Sequence, residues 1–183
     1  MIYQLDSITL RPLEPDDLDA LYQQKNDPEV ARLLDGFATG YARSDIRDWH
    51  DYHHGRKDEV MWAIIVSESQ RCIGHVGLYQ IDFRVGKANF GIMIGDKAYW
   101  GQGIGTLCTQ FAVDYGFREL NLNRIELTVL DSNQRAIQLY RKIGFREEGK
   151  LRQAQYKRGQ YHDIVIMAIL RDEYTPELLD NHG

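Results

Sequence analysis

Alternating and helical patterns of apolar positions divide the chain into strands and helices in a definite order. Four segments alternate or concentrate apolar residues over short runs and are predicted to be strands. They are Ser7–Leu13, Val60–Ser67, Arg71–Tyr79 and Ala88–Ile94. From residue 104 to residue 115 the apolar positions recur every three or four residues, which predicts a long amphipathic helix.

Local capping signals mark the other helices. Asp27, Pro28 and Glu29 predict an N-cap, a first helical residue and an acidic first turn. We expect Ser44 to cap a further helix, and Asp131 or Ser132 to cap one that ends at Gly144. The remaining predicted elements are a helix after Pro15 and the strands Arg124–Leu130, Phe145–Tyr156 and Tyr161–Leu170.

This order of elements predicts one α/β domain over residues 1–175, with a flexible tail at 176–183. The stretch 88–130 is a strand–helix–strand unit, so its two strands are expected to be parallel with a right-handed crossover. The other strands follow one another as hairpins. The prediction is a mixed, mostly antiparallel sheet of about seven strands, with helices on both faces.

Composition narrows the class of protein. The 183 residues carry a net charge of −5, which argues against nucleic acid as the main partner. No apolar run approaches the ~18–20 residues that span a bilayer, so we expect no membrane association. Two cysteines, Cys72 and Cys108, and no apolar signal segment at the N-terminus favour a reduced, cytoplasmic chain.

A glycine-rich turn precedes the long helix. In Gly101–Thr106, three glycines alternate with other residues, and the N–H groups at the helix start can bind an anion. The spacing fits neither the P-loop nor the dinucleotide-binding fingerprint. A tight turn without a ligand is the alternative.

A second motif follows the next strand, and the two motifs at this spacing are more diagnostic than the glycine turn alone. Together the two resemble the signature motifs of the GNAT acetyltransferase superfamily, and the element order over about residues 7–170 fits that fold. The first is Trp100 to Gly105, with tryptophan in place of the usual arginine or glutamine. The second is carried by Asn133, Ala136, Leu139, Tyr140, Gly144 and Phe145.

The resemblance implies transfer of an acetyl group from acetyl-CoA to an amine, with no metal. It implies that the pyrophosphate meets the backbone of Gln102, Gly103, Ile104, Gly105 and Thr106. It also implies that one parallel strand pair splays apart to admit the pantetheine arm. A backbone N–H of Met93 or Ile94 would then stabilise the oxyanion.

The resemblance also assigns roles to two residues of the second motif. Tyr140 would protonate the leaving thiolate; a core aromatic is the alternative. Asn133 would bind the CoA arm or would only cap its helix.

The base that deprotonates the amine is less defined. Some relatives carry a glutamate where this chain has Thr128, so Glu126, two residues earlier on the same strand face, is the candidate. It would act through water, unless it only pairs with an arginine. His75 is the rival candidate, with a hydrogen-bonded core histidine as the simpler interpretation.

Other reactive side chains are expected to be structural. His50, His53 and His54 lack the further ligands of a metal site and are predicted to lie on a solvated helix end. Cys108 is predicted to be a small core residue because no histidine or acid is arranged beside it.

Charge along the chain leaves the acceptor open. Residues 27–59 hold eight acids against five bases, which favours a cationic acceptor such as a polyamine. Residues 135–158 hold eight bases against two acids, which keeps a nucleotide-sugar acceptor open; both stretches can also be ordinary solvated surface. The branch that this chain resembles also includes acetyltransferases of ribosomal-protein N-termini. A CoA-binding module without catalysis is the alternative from another class, and the resemblance allows a homodimer.

Overall fold

The computed structural model describes residues 1–34 and 40–176, which build one eight-stranded mixed sheet. The strands are β1 (Tyr3–Leu5), β2 (Ile8–Arg11), β3 (Val60–Val66), β4 (Cys72–Asp82), β5 (Lys87–Ile94), β6 (Arg124–Leu130), β7 (Arg146–Lys157) and β8 (Gln160–Leu170). They lie in the order β1-β2-β3-β4-β5-β6-β8-β7. The first five are joined as successive antiparallel pairs.

Five α-helices in the described residues cover both faces of the sheet. They are α1 (Leu18–Lys25), α2 (Pro28–Leu33), α3 (Arg43–His53), α4 (Ile104–Arg118) and α5 (Gln134–Ile143). None of the helices within 1–34 and 40–176 has the length and apolar character needed to cross a membrane. The predicted tail after residue 175 lies almost wholly outside the described residues.

Alternation along the strands separates the core into two parts. Trp62 and Ile64 of β3 point to the face that α4 and α5 cover, and the fully buried Cys108 lies in the same cluster. Ala63 and Ile65 point to the opposite face, which α1, α2 and α3 cover. This two-faced burial is the predicted arrangement, and it follows from the period of two along a strand.

The predicted parallel pair is present, but it is short. β5 and β6 pair only over Lys87–Asn89 and Arg124–Glu126. Beyond these three positions β5 keeps its antiparallel partner β4, and β6 keeps its partner β8. The two strands therefore separate from Phe90 onward, and this is the splayed pair that the resemblance implied.

The N-terminal strand differs from the prediction. The chain turns at Asp6, where φ is 48°, so the predicted strand Ser7–Leu13 becomes Ile8–Arg11 and a further strand, β1, precedes it. Tyr3 of β1 packs its ring 4.8 Å from that of Phe111 in α4. The apolar pattern before Asp6 is too short to signal a strand, and the tertiary contact supplies the stability instead.

Two predicted caps are also wrong, and one is confirmed. The N-cap of α3 is Ala42, and its N–H donates to the Asp45 carboxylate at 2.7 Å. Ser44 therefore lies inside the first turn of the helix. Asn133, and neither Asp131 nor Ser132, caps α5. Asp27 caps α2 as predicted, accepting the N–H of residue 29 at 2.8 Å.

Gly144 ends α5 in the left-handed region, with φ of 115°. A Cβ there would also lie 3.2 Å from Cδ1 of Ile169. We expect Gly144→Ala to lower the free energy of unfolding by roughly 1–2 kcal/mol, because a side chain disfavours this conformation. Urea denaturation measures the change. Gly149→Ala is the control, since a Cβ at that position meets open space; equal effects of the two substitutions would contradict the argument.

Candidate active site

The gap between β5 and β6 is bordered on one side by backbone groups of β5. The Gly95 N–H donates to the Ile73 carbonyl of the neighbouring strand β4 at 2.9 Å. Residue pairs along an antiparallel ladder alternate between bonded and non-bonded. Met93, two residues earlier, therefore directs its N–H and carbonyl toward β4, where its partner is His75. Ile94 lies between bonded positions, so its N–H and carbonyl face the gap.

The other border of the gap belongs to β6. The Asp131 N–H donates to the Asp163 carbonyl at 3.0 Å. The same alternation along the pairing of β6 with β8 turns the backbone groups of Thr128 and Leu130 toward the gap. The Leu130 carbonyl accepts the Asn133 N–H at 2.9 Å. Two strand edges thus face each other without pairing, and an extended ligand with amide groups can bond to both.

The glycine turn leads from the end of β5 into α4. Gly101 and Gly103 have φ of 84° and 83°, a region that only glycine adopts without cost. Gly103 is the N-cap of α4, so the N–H groups of Ile104, Gly105 and Thr106 lie in the first turn and have no acceptor within the helix. With the helix dipole they form a site for an anion.

Trp100 connects the glycine turn to the gap. Its indole N–H donates to the Ile94 carbonyl at 2.7 Å. That carbonyl is the β5 group that faces the gap and has no strand partner there. The Gln102 side chain also bonds within the loop, donating to the Ala98 carbonyl at 2.8 Å. The tryptophan that departs from the usual motif therefore has a structural role that the sequence did not reveal.

α5 packs closely beside the start of α4. A Cβ on Gly105 would lie 3.2 Å from Cδ1 of Leu139 and 3.6 Å from Cδ1 of Ile94, so a side chain here would require the Leu139 side chain to shift. Arg135, in the first turn of α5, reaches to 3.7 Å from the Cβ position of Gly101. Its guanidinium adds a positive charge beside the anion site. The sequence placed Arg135 only within a basic stretch, because its neighbourhood depends on how the two helices pack.

Asn133 uses its side chain in two directions. Its Oδ1 accepts the Ala136 N–H at 3.2 Å, which caps α5. Its Nδ2 donates to the Leu33 carbonyl at the end of α2, at 3.4 Å. The helix cap proposed as the alternative is thus present, and one further N–H of the amide is left for another partner.

Tyr140 is buried beside Phe90 and Phe145, with ring centroids at 6.0 and 5.7 Å. Phe90 is the first β5 residue after the parallel pairing ends, which places the tyrosine next to the gap. Burial raises the pKa of the Tyr140 hydroxyl, so it stays protonated at neutral pH. Among the described residues this hydroxyl has no hydrogen-bond partner, and it is available to a ligand.

Glu126 lies where β5 and β6 are still paired, opposite Asn89. Its carboxylate accepts from Arg124 Nε at 2.8 Å and lies 3.4 Å from Lys87 Nζ. Partial burial raises its pKa, but the hydrogen bond and charge of Arg124 and the charge of Lys87 outweigh burial and lower it overall. These contacts match the ion pair that the sequence left open and disfavour the role of a base.

The histidines of α3 are less exposed than predicted. His50 is buried and its ring stacks on that of His54, with centroids 5.5 Å apart. His53 Nδ1 lies 2.8 Å from a carboxylate oxygen of the buried Glu59. The expectation of a solvated helix end is therefore wrong for the buried His50 and correct for His54, which is exposed at the C-cap of α3. Within residues 1–34 and 40–176 no three His, Cys, Asp or Glu side chains group as a metal site would require.

His75, the rival base, lies on the α3 side of the sheet. Its ring is 5.0 Å from that of Trp49, and its Nδ1 is 3.4 Å from the Tyr79 hydroxyl. Burial, with the nearby charges of Lys25 and His53, lowers its pKa to about 3. A histidine with so low a pKa is a weak base, which fits the hydrogen-bonded core histidine of the alternative interpretation.

The acidic residues of 27–59 are mostly held in local contacts. Asp27 and Glu29 lie 2.9 and 3.0 Å from Lys97 Nζ. Asp58 and Glu59 both contact Arg56. Asp35, which belongs to the same stretch, lies outside the described residues. These local ion pairs reduce the field of the four acids that make them, and the acidic wall stays a prediction.

A cavity of about 720 Å³ separates α2 from the β7–β8 hairpin. The hairpin is held against α2 by the Lys157 ammonium, which donates to the Ala31 carbonyl at 2.9 Å. Its polar lining comes from residues 25–32 and 153–161. Nothing in the sequence joined these two segments, which are more than a hundred residues apart.

Neither cysteine is placed as a nucleophile. Cys108 is fully buried in the core between α4 and the sheet, and burial raises the pKa of its thiol. Cys72 is buried on the other face, where burial raises its thiol pKa to about 11. Both act as small apolar side chains, as predicted for Cys108.

Comparison with known proteins identifies the family. Residues 7–146 match the model of the acetyltransferase (GNAT) domain. The chain is 35% identical over 174 residues to the uncharacterized N-acetyltransferase p20 of Bacillus licheniformis, covering 93% of this chain and 96% of the relative. It is 34% identical over 172 residues to spermidine N(1)-acetyltransferase of Escherichia coli K12, covering 93% and 90%.

A solved structure shows the same architecture. The crystal structure of spermidine N-acetyltransferase from Vibrio cholerae, in complex with CoA and spermine, superposes with a TM-score of 0.85. The two chains are 28% identical, and the match covers 93% of this chain and 99% of the other. The signature motifs, the splayed strands and the matched domain agree: the chain belongs to the GNAT family of N-acetyltransferases, which use acetyl-CoA.

Proposed function

We propose that this chain transfers the acetyl group of acetyl-CoA to a primary amine by direct attack in the gap between β5 and β6. The observation that carries the proposal is the end of strand pairing at Asn89, which leaves polar edges of two strands facing each other. The pantetheine arm is an extended chain with amide groups and fits such edges. The glycine turn begins beside the same gap, where Trp100 bonds Ile94.

The cosubstrate's phosphates are assigned to the start of α4. The N–H groups of Gln102–Thr106 and the helix dipole supply donors and partial positive charge. Arg135 supplies a full charge beside Gly101. Trp100 cannot bond a phosphate as the usual arginine or glutamine side chain would, and Arg135 offers a guanidinium from the neighbouring helix in its place.

The reacting carbonyl is assigned to the N–H of Ile94. Of the two candidates from the sequence, Ile94 directs its donor into the gap, whereas Met93 directs its donor to β4. A fixed backbone N–H stabilises the negative charge that develops on the thioester oxygen. Asn133 offers its remaining amide N–H to the arm on the opposite side of the gap.

Tyr140 is assigned to the proton that the leaving thiolate takes up. A thiol has a pKa near 8.5, so the departing CoA thiolate takes up a proton at neutral pH, and a proton donor placed in the site assists its departure. The tyrosine hydroxyl is protonated, lies next to the gap and lacks a partner among the described residues. We assign the role of general base to neither Glu126 nor His75. An amine that arrives neutral, or that loses its proton through water, fits the contacts of both residues.

The acceptor class is a primary amine, and the relatives point to polyamines first. Two of them are spermidine acetyltransferases, at 34% and 28% identity. A second candidate is an amine that carries an anionic group, as in an amino-sugar nucleotide, and the basic cavity beside α2 favours it. Protein N-termini remain possible acceptors and are included in the assay below. A cytoplasmic location and a homodimer stay predictions.

We expect Tyr140→Phe to lower kcat by roughly 100-fold and to leave the Kd for acetyl-CoA within about twofold, because a proton donor is lost and little volume changes. Thiol release from acetyl-CoA would be followed with spermidine, peptides with free N-termini, amino-sugar nucleotides and aminoglycosides, and mass spectrometry would identify products. Tyr52→Phe, on the exposed face of α3, is the matched control. Binding of acetyl-CoA without turnover by wild-type protein on any amine would instead support the non-catalytic module.

Gly103→Val tests the assignment of the phosphates. A Cβ at Gly103 has no protein atom within contact distance. Any loss of affinity for acetyl-CoA must therefore come from the backbone conformation at φ of 83° or from a clash between the side chain and the ligand. We expect the Kd for acetyl-CoA, measured by calorimetry, to rise at least tenfold, since a valine disfavours this conformation by about 1–2 kcal/mol and projects toward the phosphates. Gly159→Val controls for strain alone, because it has a similar φ of 80° at the hairpin tip. Normal affinity in Gly103→Val would place the phosphates elsewhere.

Glu126→Gln tests whether this carboxylate is the base. Its ion pairs hold the pKa of Glu126 below the usual value, so the group is ionised throughout the neutral range. We therefore expect the dependence of kcat/KM on pH, from about pH 6 to 9, to superimpose on that of the wild type. Glu148→Gln removes the other carboxylate bound to Arg124 and is the control. A shift of the acidic limb in Glu126→Gln alone would restore the base role.

A further inference from the structure

We propose that the cavity between α2 and the β7–β8 hairpin binds an anionic group, a carboxylate or a phosphate, carried by the amine acceptor. The inference rests on the proposed function, because it makes this cavity part of the acceptor site. It names a class of acceptor that differs from a simple polyamine. Four observations lead to it: the charge of the lining, the lack of partners for two arginines, the conformation of the hairpin tip, and the position of the cavity.

The lining of the cavity is strongly basic in an acidic protein. Lys25, Arg32, Lys157 and Arg158 contribute to its wall, and no aspartate or glutamate is among its described lining residues. The whole chain carries a net charge of −5, so this local excess runs against the average. Like charges gathered around a concave surface raise the local concentration of anions.

Two arginines of this wall have no anionic partner among the described residues. Arg32 and Arg158 make no ion pair with any residue of the described part of the chain, and both are exposed. Lys157 has a different task, since its ammonium holds the hairpin to the Ala31 carbonyl. A guanidinium presents paired N–H donors that match a carboxylate or a phosphate, so the two arginines are suited to an anion.

The tip of the hairpin supports a role for Arg158. Arg158 and Gly159 form the two-residue turn between β7 and β8, with φ of 50° and 80°. Turns with two positive φ values favour Asn-Gly or Gly-Gly, and an arginine in this conformation is disfavoured. The disfavoured residue at this turn is thus one whose side chain lines the cavity.

Contacts between neighbouring residues connect the wall of the cavity to the strands that border the gap. On one side, α2 contacts the start of α5, because the Asn133 amide donates to the Leu33 carbonyl at 3.4 Å. On the other side, the Lys25 ammonium lies 3.9 Å above the Trp49 ring, which packs 5.0 Å from His75. His75 is the β4 partner of Met93, next to the proposed oxyanion donor Ile94.

The remaining lining accommodates the organic part of such a ligand. Tyr156 and Tyr161 pack their rings at 5.0 Å on the hairpin and line the cavity, and the volume of about 720 Å³ suits a small molecule. A diamine would bring its second ammonium to a wall of cations. The cavity therefore favours an anionic acceptor and disfavours a cationic one by the same charges.

Two pairs of acceptors, matched in the amine that reacts, test the proposal. 5-Aminopentanoate is compared with cadaverine, and O-phosphoethanolamine with ethanolamine, each as an acceptor with acetyl-CoA. We expect kcat/KM to be at least tenfold higher for the anionic member of at least one pair, since a hydrogen bond to a charged group corresponds to a factor of roughly ten or more. The pair that responds identifies carboxylate or phosphate. Equal values, or a preference for the uncharged or cationic member in both pairs, would overturn the proposal.

Substitutions locate the effect. Arg32→Gln and Arg158→Asn are each expected to reduce the preference for the anionic member roughly tenfold. They should raise kcat/KM for cadaverine, because a like charge is removed, and change that for ethanolamine, which has no second charge, by less than about twofold. Arg158→Asn is informative because asparagine favours the turn, so the melting temperature should not fall. Arg47→Gln removes an exposed arginine of α3 outside the cavity and is the control. An undiminished preference in the double variant of Arg32 and Arg158 would overturn the assignment.

A binding measurement separates this proposal from the proposed function. Calorimetry of 5-aminopentanoate and O-phosphoethanolamine would be performed with protein saturated with CoA, which occupies the phosphate site of the glycine turn. If no amine is acetylated, the proposed function fails. Binding of either anion that is lost in the double variant would still support the cavity as an anion site. Absence of binding of both anions to the wild-type protein would overturn it.

Discussion

The early end of pairing between β5 and β6 is the constraint on which the rest of the site depends. A sheet interior normally satisfies every backbone N–H and carbonyl, and an unpaired edge there carries a cost. This chain meets part of that requirement with a side chain, since Trp100 bonds the Ile94 carbonyl at 2.7 Å. The same bond fixes the glycine turn against β5. Strand separation, the proposed oxyanion donor and the proposed anion site are thus parts of one arrangement.

Signals that lie close together in the sequence predicted the fold and the motifs well. The strand alternation, the long helix, the cap at Asp27 and the left-handed Gly144 all follow from short-range physical rules, and each is present. The motif at Asn133–Phe145 depends on one helix and its two ends. Such features need no knowledge of distant residues, which is why a sequence is enough to predict them.

Features that depend on long-range packing were missed or misjudged. The hydrogen bond from Trp100 to the Ile94 carbonyl depends on where the end of β5 lies in the folded protein. Arg135 approaches Gly101 only because α5 packs on α4. The environment of Glu126 includes Lys87, a partner 39 residues away in the neighbouring strand. The extra strand β1 exists through its contact with α4. In each case the decisive neighbour is far along the chain.

The two cysteines of the chain bear on how its chemistry can be observed. Cys72 and Cys108 are the only thiols, both are buried, and burial raises the pKa of each. Since thiolates are the reactive form, the native protein adds little signal to a reagent that reports free CoA. An unfolded chain exposes both sulfur atoms. The reagent that measures CoA release by the folded protein would therefore also measure the fraction of protein that has unfolded.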